Sequence, residues 1–302
     1  MRIFDKPVIL LTHNDLDGVG SPVVLNALTA KTQDIVQKIY YVNNGDVEAI
    51  IEKVMTDNKP EDYILFICDH SPIKETYDKM VAEGVDFYIF DHHKSSQVQD
   101  LEYVSFDLNK CGTKLFYEYI MKAHPILRGT ILGQFVYHVN DYDMWVHDNP
   151  HSKRLNELLY ETSIPEFIER FSNNPDPAFT ETEELIVSSA EKKRERYINK
   201  AEKFVQFHTD HNKNRFGVVF AELHVSELGH ELNDRLDLDY IFIVNAQSSK
   251  VSLRSKGKVD VAEIAKHFAH LLETNGGGHK AAAGFGYAPE DLPKVFHLLE
   301  TY

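Results

Sequence analysis

The chain has 302 residues, 43% of them hydrophobic and 26% charged, with no excess of Gly or Pro, which excludes an extended disordered or fibrous protein. That length fits two ordinary domains better than one large core. The formal charge of -15 excludes a protein that coats long nucleic acid, because such affinity comes from Lys and Arg neutralising phosphates, but it allows a small anionic ligand held locally.

Cys68 and Cys111 are the only cysteines, too few for a disulfide framework and without the CxxC spacing of a zinc site. The N-terminal apolar run is too short for a signal-peptide core or a membrane span, so a cytoplasmic location and no membrane partner are expected.

In chain order, PVILLT at 7–12 is a continuous apolar run of strand length, and a helical pattern follows to about residue 30. The alternation repeats with strands at 38–42, 63–68 and 86–90 and helices at 46–55 and 73–83. Strands alternating with helices imply parallel crossovers, and runs such as ILFIC and FYIF suit strands covered on both faces. The fold class is therefore α/β, a doubly wound and mainly parallel sheet. Helices at 112–123, 129–139 and 153–159 close this first domain, set at 1–175. FSNNPDPAF at 171–179 breaks regular structure, and 180–207 reads as a charged connector helix whose 192–196 basic cluster is a solvated face rather than a nucleic-acid tail. The helical linker is set at 176–210, and a smaller α/β domain at 211–302 carries the strands FGVVF, YIFIVNA and KVSLRS and helices near 226–234 and 259–272.

Polar residues gather where the N-terminal strands end. His13, Asp15 and Asp17 follow the first strand, Asp69 follows ILFIC, and Asp91, His92 and His93 follow FYIF. Alone, Asp17 or Asp69 reads as a helix cap. Three strands delivering Asp and His to the carboxyl edge of one sheet, where open α/β sheets bind ligands, point instead to a metal. Carboxylates mixed with imidazoles, and no thiolate, suit manganese ahead of magnesium, iron or cobalt, and a structural zinc least of all. So many donors over-supply one ion and fit two divalent ions. NDYDMW at 140–145, after a helix, offers one further aspartate; the plainer reading is a loop whose Trp145 packs on the core, and the two are compatible. Histidines without matching partners, among them His138, His147 and His151, read as structural or surface residues. Towards the C-terminus, GGGHKAAAGF lets a ligand approach the backbone at Gly277, Gly278 and His279, and Arg254 in SLRS is a second candidate anion contact.

Taken together, THNDLDG, CDHSP, DHHKS, NDYDMW and GGGHKAAAGF resemble, in order, the signatures of the DHH phosphoesterases with a DHHA1 domain, in particular the oligoribonuclease type. The resemblance implies that His13, Asp15 and Asp69 hold one metal and that Asp17, Asp69, His92 and Asp141 hold the other, with Asp69 bridging and Asp141 preferred over Asp143. It also implies that His93 contacts the scissile phosphate, that Asp91 orients the histidines, and that Arg254 and residues 277–279 grip the phosphate and base end of a short nucleotide. The implied activity is hydrolysis of short oligonucleotides or linear dinucleotides to mononucleotides. Alternatives are a cyclic-dinucleotide phosphodiesterase, a phosphatase acting on 3'-phosphoadenosine 5'-phosphate, and a non-catalytic nucleotide-binding protein. A homodimer is left open.

Overall fold

A computed structural model describes residues 3–30, 32–43, 45–125 and 129–302. The chain divides into two compact units, Met1–Ser188 and Ser189–Tyr302.

The N-terminal unit is built on β1 (Val8–Thr12), β2 (Val36–Tyr41), β3 (Ile64–Cys68), β4 (Phe87–Asp91) and β5 (Val104–Phe106), in the order β2-β1-β3-β4-β5 and parallel throughout. Side chains alternate across the sheet with period two. Ile9, Leu11, Leu65, Ile67, Phe87 and Ile89 pack on α2 (Val47–Asp57) and α3 (Lys74–Ala82). Val8, Leu10, Phe66, Cys68 and Phe90 pack on α1 (Leu16–Thr29), α4 (Gly112–Ala123), α5 (Thr130–Asp143), α6 (Pro150–Glu161) and α7 (Ile164–Asn173). Both faces are covered, as unbroken apolar strands require. The short β5 and the capped helix α7, whose Ser163 and Glu166 form a reciprocal capping box, are additions to the elements legible in the sequence. Chain direction of the winding reverses between β1 and β3, so their carboxyl ends, at Thr12 and Cys68, flank the crevice where such sheets bind ligands.

Local devices tighten this edge. Pro22 inside α1 has no amide hydrogen for the Gly18 carbonyl one turn earlier. The Thr12 hydroxyl donates to that carbonyl instead at 2.8 Å, tying the end of β1 to the first turn of α1. The N-terminus of α4 enters so closely that a Cβ on Gly112 would lie 2.6 Å from the Asp69 nitrogen and 3.0 Å from the Phe90 carbonyl oxygen.

The long α8 (Glu181–Ala201) ends in a 3-10 turn at Glu202–Phe204, and β6 (Gln206–Thr209) follows, so the helix stops short of residue 207. The C-terminal unit is a six-stranded sheet in the order β10-β11-β9-β8-β7-β6, comprising β7 (Arg215–Phe220), β8 (Tyr240–Asn245), β9 (Lys250–Ser255), β10 (Gly276–His279) and β11 (Ala282–Gly286). Only the β7–β8 pairing is parallel. One face carries α10 (Val261–Leu271) and α11 (Leu292–Thr301); the other carries α9 (Val225–Arg235) and the end of α8. Among the described residues no helix is long and apolar enough to cross a membrane.

Gly112→Ala should force the start of α4 off the ends of β3 and β4, since backbone atoms rather than flexible side-chain ends stand in the way. The expected loss is about 1–3 kcal/mol in chemical denaturation, accompanied by weaker divalent-cation binding; unchanged values in both would contradict this account of the packing.

Candidate metal centre

Asp15 caps α1, its carboxylate accepting the Gly18 amide at 3.0 Å and lying 2.8 Å from His13 Nδ1. Asp17, fully buried, accepts the Gly112 amide at 2.6 Å and the Thr113 amide at 2.8 Å. The positive end of the α4 dipole therefore orients this carboxylate. Asp69 follows β3 in a left-handed conformation, φ 57°, with its amide bonded to the Phe90 carbonyl at 2.8 Å. His70 packs its ring edge-on to His13, 5.1 Å between centroids.

Asp91, at the end of β4, receives the His92 amide at 2.8 Å, the His93 amide at 3.2 Å and His93 Nδ1 at 2.8 Å on one carboxylate oxygen, and the Ser71 hydroxyl on the other. Ser96 in turn donates to Ser71 at 2.9 Å. Asp91 therefore holds the histidines in place rather than facing the cluster. His93 remains partly open, beside a cavity of ≈ 200 Å³ also lined by His70, Ser71, Ser96 and Gln97.

These residues converge. His92 Nε2 lies 3.4 Å from Asp69, 3.5 Å from Asp143 and 3.9 Å from Asp17, while His13 Nδ1 is 3.7 Å from the other Asp69 oxygen. Three groups with metal-holding geometry result: His13, Asp15 and Asp69; Asp17, His92 and Asp143; Asp69, His92 and His93. Asp69 belongs to two of them, through different oxygens.

The fourth motif differs from the expectation. Asp143, not Asp141, enters the cluster. Residues three apart share a helix face, and Asn140, three before Asp143, accepts the Cys111 amide at 3.1 Å, so that face of α5 looks towards the start of α4. Asp141 is turned about 200° from Asp143 around the helix. Its carboxylate instead accepts the amides of Asp148 at 2.9 Å and Asn149 at 3.3 Å. A helical projection of NDYDMW beside Asn140 carries this signal, whereas the motif read as a loop does not. Trp145 also departs from expectation, being 41% exposed instead of packed in the core.

The electrostatics suit a cation. Burial, then the charges of Asp17, Asp15 and Asp143, push the Asp69 carboxyl well above its usual range. Burial, then Asp17 and Asp15, do the same to Asp143, and burial lowers His92. Asp69 Oδ2, His92 Nε2 and Asp143 Oδ2 are buried with no hydrogen-bond partner, an arrangement that costs free energy unless something positive satisfies it. The donor set fits divalent ions. By contrast His93 is raised by its bond to Asp91. Burial works to raise Asp91, but the bonds from His93 and Ser71 outweigh it and hold that carboxyl low.

In the C-terminal unit, Arg254 pairs across β9 and β11 with Ala282, which pairs across β10 with His279, so the three occupy one cross-strand row. Arg254 is anchored by the Leu253 carbonyl at 2.8 Å and the Ser226 hydroxyl at 2.9 Å. Gly278 has φ 141°, and a Cβ there would lie 2.6 Å from the Ala282 carbonyl oxygen, so the Gly277–Gly278 pair lets the hairpin close. The structure thus aligns Arg254 and His279 on one row of the sheet, with Ala282 between them.

Residues 7–133 match the DHH family N-terminal domain, and residues 218–302 match the DHHA1 domain. The chain is 33% identical to oligoribonuclease NrnB of Bacillus subtilis over 93% of its length and 73% of that protein's. It is 23% identical to a 3',5'-cyclic-nucleotide phosphodiesterase of Helicobacter pylori over 91% of each. Its fold resembles that of exonuclease RecJ bound to manganese, with a TM-score of 0.63 and 14% identity over 98% of this chain and 89% of that one.

Asp143→Ala should lower manganese affinity by at least about 100-fold, whereas Asp141→Asn should change it by less than about 10-fold. Calorimetric titration of both variants checks this; the reverse order would restore Asp141 as the ligand.

Proposed function

This chain is a hydrolase of the DHH family carrying a DHHA1 domain, and we propose that it cleaves short oligonucleotides or linear dinucleotides to mononucleotides with two divalent ions, manganese being preferred. The observation that carries the reading is the convergence of unsatisfied buried donor atoms on Asp69, His92 and Asp143. His13, Asp15 and Asp69 would hold one ion, and Asp17, Asp69, His92 and Asp143 the other, with Asp69 common to both. Ions bound there supply positive charge that offsets the phosphate and makes water acidic enough to attack near neutral pH.

The chain's own groups do the rest. His93, fixed by Asp91 and kept protonated further towards neutral pH by that bond, would meet the scissile phosphate with positive charge. Asp17, clamped by two amides of α4, and Asp69, fixed through its amide, present their oxygens without reorganising. Within the C-terminal unit, Arg254, Gly277, Gly278 and His279 would bind the phosphate and base end of the substrate. The kinship with an oligoribonuclease and a net charge of -15 both favour a small nucleic-acid substrate over a long one.

Manganese-dependent hydrolysis of pApA, pGpG and short RNA should exceed that of cyclic dinucleotides, 3'-phosphoadenosine 5'-phosphate and pyrophosphate. Asp69→Ala should abolish activity, and His93→Ala should reduce it by about 100-fold or more. Turnover of pyrophosphate alone would sink the reading. Because the Asp69 and Asp143 carboxyls sit above their ordinary values in the folded, metal-free chain, protons compete with metal above the usual carboxylate range. Manganese affinity should therefore rise from pH 5 to pH 8, with proton release on binding, measurable by titration in buffers of different ionisation enthalpy. Affinity independent of pH would contradict it.

A further inference from the structure

We propose that Trp145 and His147 form a nucleobase-stacking platform beside the metal centre, on which one base of the substrate lies while its phosphate sits at the carboxylate cluster; this rests on the oligonucleotide reading above. The rings form a compact group. Trp145 and His147 have centroids 4.3 Å apart, and His147 is stacked on Tyr142 at 5.7 Å with planes 25° apart. Tyr142 roots the group: its hydroxyl accepts a hydrogen bond from the Asn156 side-chain amide at 2.8 Å, and its ring packs against the main core. Trp145 nevertheless leaves 41% of its surface exposed, and the neighbouring Val146 53%.

Position gives the platform its role. Trp145 stands two residues after Asp143, so their backbones are no more than about 7 Å apart. One ribose separates a base from its phosphate, and a phosphate at the cluster would bring its base to this turn. The backbone is also held in an unfavourable state. Trp145 has φ 55° and His147 φ 54°, conformations that bulky residues keep only where the surroundings over-determine them and that gather at functional sites.

Asp141 does the holding. Its carbonyl accepts the amides of Val146 at 3.1 Å and His147 at 3.2 Å, and its carboxylate accepts those of Asp148 and Asn149. Asp141 is thus a positioning residue for the aromatic turn. The carboxylates of Asp141, Asp143 and Asp148 would repel an anion, so the rings suit an uncharged base and not a second phosphate. Stacking is tolerant of base identity, which suits an enzyme that degrades mixed short oligonucleotides.

Trp145 is the only tryptophan of the chain, so its intrinsic fluorescence reports on the platform directly. In the full chain with manganese, a phosphorothioate-linked dinucleotide should quench this emission saturably, whereas the same sugar-phosphate without bases should not. Trp145→Ala should raise KM for pApA on the order of 10-fold with kcat little changed, and Trp145→Phe should recover most of the loss. Asp141→Asn should alter the Trp145 emission in the free protein. Equal quenching by the abasic compound, no quenching by an analogue that competitively inhibits hydrolysis, or an unchanged KM in Trp145→Ala with dinucleotide hydrolysis intact would remove the platform and leave the phosphodiesterase standing. Failure of the wild-type chain to hydrolyse any dinucleotide or short RNA would remove both.

Discussion

Four carboxylates, Asp15, Asp17, Asp69 and Asp143, crowd the carboxyl edge of one parallel sheet, and their mutual repulsion is the constraint to which the surrounding structure answers. Asp69 feels the other three at once while sealed from water. A protein does not gather like charges in its interior without an opposing charge. Part of that opposition is built into the chain: two amides at the start of α4 face Asp17, and His13 faces Asp15. Asp69 and Asp143 receive no such partner on their inner oxygens, and divalent cations are the simplest way to satisfy them.

The fold around the edge reads as the means of holding this arrangement. Parallel strands end together, so Thr12, Cys68 and Phe90 deliver the residues that follow them to one line. Covered on both faces, the sheet cannot relax towards solvent. Gly112 admits the helix terminus that orients Asp17, and the Thr12 hydroxyl fills the carbonyl left free by Pro22. A missing side chain at Gly112 and a single hydroxyl at Thr12 therefore govern the site through backbone placement.

Two aspartates two residues apart on α5 have been given different work. Asp143 looks inward to the cluster, while Asp141 gathers the amides of the following turn and sets Trp145 and His147 in left-handed backbone conformations. The division follows from helical geometry, since neighbours separated by two positions point to opposite sides. It links the carboxylate cluster to the aromatic turn through a single stretch of seven residues, 141–147.

The sequence by itself determined the α/β class, the order of the crossovers in the first unit, and most of the cluster, because unbroken apolar strands have few other solutions and each was followed at once by Asp or His. His13, Asp15, Asp17, Asp69 and His92, which the structure brings together, were legible from strand-end position alone. Short or late elements such as β5, α7 and α11 were not, since three residues carry too little periodicity and the two helices are only ten residues long and carry proline in their first turns. Tertiary structure alone turned Asp143 rather than Asp141 into the cluster and exposed Trp145. Helical periodicity separates Asp141 from Asp143, but which of them turns inward depends on the face of α5 that meets the start of α4, and that is set by packing between residues distant in the chain.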